Sequence, residues 1–444
     1  MIASYPRYDS YKETSEEWIG KIPTTWDSVP LRNIFKFRNE KNDPIITDEI
    51  LSLSIAHGVT KYSDKNRGGN KRKDDITAYK IARPNDIVLN SMNIIVGAVG
   101  LSKYFGAISP VYYALYLHSN EASINYYEWV FHNESFQKSL LKYGKGILIK
   151  MGEGGKMNTI RMKISQHDMK YFILPCPPLS DQEKIAKFLE SKTAQIDQAI
   201  TLKQQQIAKL EEYKQIVIQN AVTKGLNPDA PMKDSGVDWI GEIPKHWEVK
   251  KLKFISNVVL GKMICNEDRG GMQLKPYLKS KNIQWLNVDI TSVDEMWFTE
   301  REMLVYRLKK DDLVLSEGGE VGKTCIWNNE LDECYIQNSA HKVSFKSNHL
   351  PKYFLYQFFT LGKQGQFNKI VNRVSIGHLT KDKLINTDLI TPTLEEQRLI
   401  VDYIEKTESI VLINIDVYKQ QIDRLKEYKT ILINQAVTGK IKVS

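Results

Sequence analysis

Trp18-Ile19-Gly20-Lys21-Ile22-Pro23, closed by Trp26, returns 221 residues later as Trp239-Ile240-Gly241-Glu242-Ile243-Pro244, closed by Trp247. A second match ends each copy. Leu179-Ser180-Asp181-Gln182-Glu183-Lys184-Ile185 answers to Leu394-Glu395-Glu396-Gln397-Arg398-Leu399-Ile400, now 215 residues apart. The same spacing holds through Tyr213/Tyr428, Lys214/Lys429 and Ala221-Val222-Thr223/Ala436-Val437-Thr438. Matching ends imply one architecture used twice, and unmatched middles imply two different tasks.

Working outward, residues 1–178 and 235–392 read as mixed domains, in which short apolar runs such as Ile87-Val88-Leu89 alternate with Gly- and Asn-rich loops. Tyr126, Trp129, Val130, Phe136 and Leu140 carry helical periodicity, and Pro175-Cys176-Pro177-Pro178 is expected to stop the first domain. Asn85-Asp86-Ile87-Val88-Leu89 and Asp311-Asp312-Leu313-Val314-Leu315 read as a turn feeding a buried strand. The tryptophans beside prolines read as core anchors.

Residues 179–225 and 393–444 predict long helices, opened by capping boxes at Ser180/Glu183 and Thr393/Glu396. Leu189, Ile196, Lys203, Leu210 and Val217 form one heptad row, and Ile404, Val411, Tyr418, Leu425 and Leu432 its counterpart. Apolar residues at an average spacing of about 3.5 predict that the two helices pair with each other. Lys214 and Lys429 interrupt both seams at the same place, so their ammonium groups must snorkel outward or meet a carboxylate. Between the copies, Gly225, Pro228 and Pro231 mark residues 226–234 as a linker. The expected fold class is α+β: two similar α/β domains joined by two long helices in an antiparallel coiled coil, with an internal pseudo-two-fold repeat.

The chain has 444 residues, 42% hydrophobic content and a formal net charge of +9, which favours an anionic partner. No apolar run approaches a bilayer span, so a soluble, cytoplasmic protein is expected. Cys176, Cys265, Cys325 and Cys334 lack the paired spacing of a zinc knuckle. Gly318-Gly319-Glu320-Val321-Gly322-Lys323-Thr324 resembles a P-loop ending, but Glu317 stands where the first glycine belongs, so a turn between strands is the better reading. No carboxylate cluster, close histidine pair or nucleotide-binding motif assigns catalysis, and no metal site is predicted.

The unmatched middles carry basic runs. One holds Lys65, Asn66, Arg67, Asn70, Lys71, Arg72 and Lys73, and another Lys145, Lys156 and Arg161. Their counterparts are Arg269, Gln273, Lys275, Lys279 and Lys281, then Gln366, Lys369, Asn372 and Arg373. Lysine and arginine attract phosphates, and Arg, Asn and Gln also pair with base edges. A solvated loop is the alternative for any single run.

Together the Trp-Ile-Gly-x-Ile-Pro-x-x-Trp opening, the Pro-Asn-Asp-Ile-Val segment, the Gln182-centred helix start and the Leu210–Leu226 ending resemble the specificity subunit of type I restriction–modification systems. The resemblance covers nearly the whole chain. It implies two target-recognition domains, each reading one half of a bipartite, asymmetric site in double-stranded DNA, and no catalysis by this chain. It also implies partners: two methyltransferase subunits using S-adenosylmethionine, and restriction subunits using ATP and magnesium. No cofactor is then expected on this chain. Two other classes remain: a stand-alone DNA-modifying enzyme, and a coiled-coil adaptor without DNA specificity.

Overall fold

The computed structural model describes residues 5–64, 75–147, 161–370 and 378–443. They divide into two compact units, residues 1–203 with 420–444 and residues 204–419. This differs from the expected division, because the long helices form no body of their own: each unit takes part of both.

The first unit is built on a four-stranded antiparallel sheet. Its strands are β1 (Phe35–Arg38), β3 (Ile87–Asn90), β4 (Val99–Leu101) and β5 (Tyr112–Leu117), in the order β1-β5-β3-β4. A separate strand, β2 (Lys80–Ala82), pairs with Gly106–Ile108, and β6 (Lys145–Ile147) pairs antiparallel with β7 (Arg161–Lys163). Helix α1 (Ile124–Phe131) and the long helix α2 (Leu179–Lys224) pack beside the sheet. In the second unit the matching sheet comprises β8 (Ser256–Leu260), β11 (Leu313–Ser316), β12 (Thr324–Ile326) and β14 (Ala340–Phe345), in the order β8-β14-β11-β12. Between them in sequence, β9 (Gln273–Leu278) lies at the centre of a second sheet, antiparallel to β10 (Asp294–Phe298) and parallel to β13 (Tyr335–Ile336). Helix α3 (Pro351–Lys363) and the first part of helix α4 (Leu394–Val437) belong to this unit.

The repeated motifs are structural. Gly20 and Gly241 take φ of 62° and 70°, a left-handed turn that an L side chain would strain, and so swing Trp26 and Trp247 into the two cores, where both are buried. Asn85 and Asp311 turn in the same region at φ 69° and 70°. Asp86 Oδ2 accepts the Arg83 N–H at 2.8 Å, Asp312 Oδ2 accepts the Lys309 N–H at 2.8 Å, and a buried apolar triplet, Ile87–Leu89 or Leu313–Leu315, follows each. Arg38 adds a bidentate pair to Asp86, at 2.6 and 2.9 Å.

Gln182 and Gln397, both buried, lock the starts of the long helices. Gln182 donates to the carbonyls of Pro177 (2.8 Å) and Glu121 (3.1 Å) and accepts the Ser123 N–H (2.8 Å), just before α1. Gln397 donates to the carbonyl of Pro392 (2.9 Å) and accepts the Leu350 N–H (2.7 Å), just before α3. The capping box at Thr393/Glu396 forms: Thr393 Oγ1 accepts the Glu396 N–H at 3.3 Å and Glu396 accepts the Thr393 N–H at 3.2 Å. The one expected at Ser180 does not. Helix α2 already begins at Leu179, with the Asp181 and Gln182 N–H groups on the Pro178 carbonyl, so Ser180 lies within the first turn.

Within each unit the long helices run antiparallel. In the first, Lys429 meets Asp197 at 2.7 Å and Lys203 donates to Gln421 at 2.5 Å; in the second, Lys214 meets Glu408 at 3.6 Å. Lys214 and Lys429 thus meet carboxylates, between buried apolar positions such as Leu189, Ile196 and Leu432, or Val217, Ile404 and Val411. Ion pairing offsets the cost of partly burying these ammonium groups.

Four further expectations are corrected. The periodic stretch from Tyr126 breaks after Phe131, because Asn133 caps a new helix by accepting the Phe136 N–H at 2.9 Å. Ile173–Cys176 is a strand paired with Asp27–Pro30, so the chain stays in the domain through Pro175 and leaves it only at Pro177; an edge pair tolerates one missing N–H. Met232–Asp234, expected in the linker, is a strand paired with Glu242–Pro244 of the repeated motif. Helix α4 ends at Val437, and the segment beyond it buries Thr438 and Ile441 in the first unit, where the Lys442 N–H reaches the Pro6 carbonyl at 2.7 Å.

Candidate nucleic-acid interface

In the first unit, the antiparallel pair β6–β7 sets Lys145 opposite Lys163. Lys145 is exposed, and Arg161 begins β7. Lys65, Asn66, Arg67, Asn70, Lys71, Arg72, Lys73 and Lys156 lie outside the described residues. Lys80, which sequence reasoning missed, belongs to the same corner. It opens β2, bridges to Lys41, donates to the Tyr112 carbonyl at 3.0 Å and lies 4.9 Å from the Tyr113 ring centroid. Burial, with Lys163 nearby, pulls its ammonium below the usual lysine range. A lone lysine in a short strand carried no sequence signal.

In the second unit the predicted residues divide into two kinds. Lys275, Lys279 and Lys281 are compensated: Lys275 meets Glu333 at 2.7 Å, Lys279 is bonded to Asp294, and Lys281 lies 3.4 Å from the same carboxylate. The bond to Asp294 holds the Lys279 ammonium above the usual lysine range. Arg269 and Gln273 are exposed at the open end of β9. Asp268 shapes the turn there by accepting the N–H groups of Gly270 (2.8 Å) and Met272 (3.1 Å). Gln366 is half-buried and Lys369 exposed on the short helix Gln366–Ile370, while Asn372 and Arg373 lie outside the described residues.

Both units tether the chain after its second basic run in the same way. The Ile164 N–H donates to the Ser91 carbonyl at 3.1 Å, and the Leu379 N–H donates to the Glu317 carbonyl at 2.8 Å. The carbonyls of the tethered residues are held from the central strand, by Tyr113 Oη at 3.2 Å and by His341 Nε2 at 2.6 Å. Tyr113 faces Leu89 and His341 faces Leu315 in their sheets, so these are equivalent positions with different chemistry. A carbonyl only accepts, so His341 Nε2 carries the proton; burial pulls this imidazole below the usual histidine range. The repeat could not have revealed this pair, because tyrosine and histidine share only the donor.

Among the described residues, no group of His, Cys, Asp or Glu side chains could hold a metal ion. No helix among them is long and apolar enough to cross a membrane.

Residues 23–212 and 244–426 each match the type I restriction modification DNA specificity domain. Along its whole length the chain is 26% identical to the type I restriction enzyme MjaVIII specificity subunit of Methanocaldococcus jannaschii, covering 98% of that protein. It is 24% identical, again over its whole length and 99% of the relative, to a putative type I restriction enzyme MjaX specificity subunit of the same organism. The fold resembles the HsdS subunit from Thermoanaerobacter tengcongensis, with a TM-score of 0.54 and 14% identity over 95% of this chain and 98% of that one. It is closer to a chain from a study of complex assembly and conformational transition of the type I R-M system, with a TM-score of 0.68 and 14% identity over 94% and 98%.

Proposed function

Since the chain belongs to the type I restriction–modification DNA specificity family, we propose that each of its two units reads one half of a bipartite, asymmetric site in double-stranded DNA. The observation that carries this reading is the shared tether at Ile164 and Leu379. One backbone frame returns the chain from a basic segment in both units, while the segments themselves differ. Equal frames give equal docking, and unequal side chains give unequal half-sites. Lys80, Lys145 and Lys163 in one unit, and Arg269 and Lys369 in the other, serve as phosphate contacts that set register.

The same reading makes the chain the non-catalytic scaffold of its complex. It gathers methyltransferase subunits, which use S-adenosylmethionine, and restriction subunits, which use ATP and magnesium. The test has two arms. Gel shifts of the chain with its methyltransferase partners across a salt series should show log affinity falling linearly with log salt. Mapping of methylated adenines in cells carrying these subunits should return a two-part motif. Absence of any DNA binding would leave an adaptor that binds protein alone, and methylation by the purified chain by itself would make it an enzyme.

A further inference from the structure

Each unit makes the same turn just before its central strand. In the first the turn is Ser109-Pro110-Val111: the Tyr112 N–H donates to the Ser109 carbonyl at 2.9 Å, and Ser91 Oγ donates to the Val111 carbonyl at 2.8 Å. In the second it is Gln337-Asn338-Ser339: the Ala340 N–H donates to the Gln337 carbonyl at 2.9 Å, and the Glu317 N–H donates to the Ser339 carbonyl at 2.9 Å. Ser91 and Glu317 are the residues whose own carbonyls tether Ile164 and Leu379. The turn therefore stands beside the point where each second basic run rejoins the fold.

The backbone is shared and the side chains are not. Pro110 and Val111 are exposed and offer no side-chain donor. In the second unit three polar side chains are linked in series. The Ser339 N–H (3.1 Å) and Oγ–H (2.5 Å) donate to Gln337 Oε1, and Gln337 Nε2 donates to Asn338 Oδ1. The Asn338 N–H is held by the Lys262 carbonyl at 2.9 Å, and the Ser280 N–H donates to Ser339 Oγ at 3.0 Å. The turn cannot retreat, because a Cβ on Gly261 would already lie 2.3 Å from the Gln337 carbonyl oxygen. Among the described residues the Asn338 amide nitrogen has no partner, although its oxygen is oriented by Gln337. The side chain is half-buried and its backbone is fixed, so little conformational entropy remains to be lost on binding.

We infer that Asn338, oriented by Gln337 and Ser339, is a specificity-determining residue of the second unit, and that it takes adenine in the major groove. Its Nδ2 donates to N7, and the remaining lone pair on Oδ1 accepts the 6-amino group, the bidentate pattern an oriented carboxamide makes with that base. The counterpart turn, with Pro110 and Val111, has no such pair and offers apolar contact instead, of the kind that suits a thymine methyl. The inference rests on the proposal that the units read DNA.

The test uses the full complex with its methyltransferase subunits. The wild-type methylated motif is determined first, then those of Asn338→Ala and the near-isosteric Asn338→Asp. The expected result is degeneracy at one adenine-containing position of one half-site for Asn338→Ala, with the other half-site intact. Discrimination against a duplex changed at that position should fall roughly ten-fold. Asn338→Asp loses the donor, accepts only, and should also lose preference for adenine there. Wild-type motifs from both variants, or equal weakening on every duplex with melting unchanged, would overturn the assignment. A wild-type complex without sequence preference would remove the DNA-reading proposal itself, before any substitution is made.

Discussion

Tyr126 donates its hydroxyl to the carbonyl of Val437, 2.8 Å away and 311 residues along the chain. Tyr353 does the same to the carbonyl of Val222 at 3.0 Å. Each mixed domain thus holds the end of the long helix that follows the other copy. Both tyrosines are fully buried, and burial pushes both phenols well above the usual tyrosine range, so they remain donors. This reciprocal hold accounts for the repeated Ala-Val-Thr ending: Ala221 and Val222 belong to the core of the second unit, Ala436 and Val437 to that of the first.

Tyr126→Phe and Tyr353→Phe keep the ring packing and leave a helix-end carbonyl unpaired in the core. Each should lower stability by about 1–2 kcal/mol. Thermal melting checks this. A variant as stable as the parent would show that the carbonyl finds another donor.

Trp247 Nε1 donates to Glu396 Oε1 at 3.0 Å, and His246 lies 2.7 Å from the same oxygen. Burial pushes the Glu396 carboxyl up, but these bonds and those from Thr393 outweigh it and hold the group down at about 2. A carboxyl whose folded pKa lies below its unfolded value, about 4.3, stabilises the fold above that unfolded value and loses the contribution as pH falls towards 2. The side chain is only half-buried, so solvent screening reduces the effect to on the order of 1 kcal/mol. Denaturant titrations should therefore show Glu396→Gln less stable than the parent at pH 7, with the gap narrowing below about pH 4 and closing only near pH 2.

Removing the amide in Gln397→Leu strands the Leu350 N–H and the Pro392 carbonyl at the start of α4. Gln182→Leu does the same to Ser123 and Pro177 at the start of α2. Each should cost about 1–3 kcal/mol. Hydrogen exchange should rise first at the Ser123 or Leu350 amide, the group that loses its acceptor.

Exchange of residues 27–174 for the same segment of a relative should alter one half-site and leave the other, because the frame that accepts the segment is repeated at residues 244–426. Methylome mapping of the chimera reads this directly. Two altered half-sites would refute independent reading by the two units.

Register and repetition were legible in the chain because they are local. The tryptophans of the repeated opening read as core anchors, Asn85-Asp86 and Asp311-Asp312 as turns before buried strands, and the heptads carry their period within one helix. Two similar halves and long paired helices followed from that alone, whereas the structure chose carboxylate partners over snorkelling for Lys214 and Lys429. The partners of long-range bonds could not be read. Nothing near Tyr126 names Val437, nothing in His341 says that it stands where Tyr113 does, and the carboxylates opposite Lys275 and Lys279 lie 58 and 15 residues away. Asn133 ended a helix that periodicity would continue, because a side-chain oxygen on the Phe136 N–H competes with the helical bond. Sequence spacing determined which elements exist. Tertiary packing decided which charges are neutralised and which turns stand open, because those depend on atoms brought together only when the core closes.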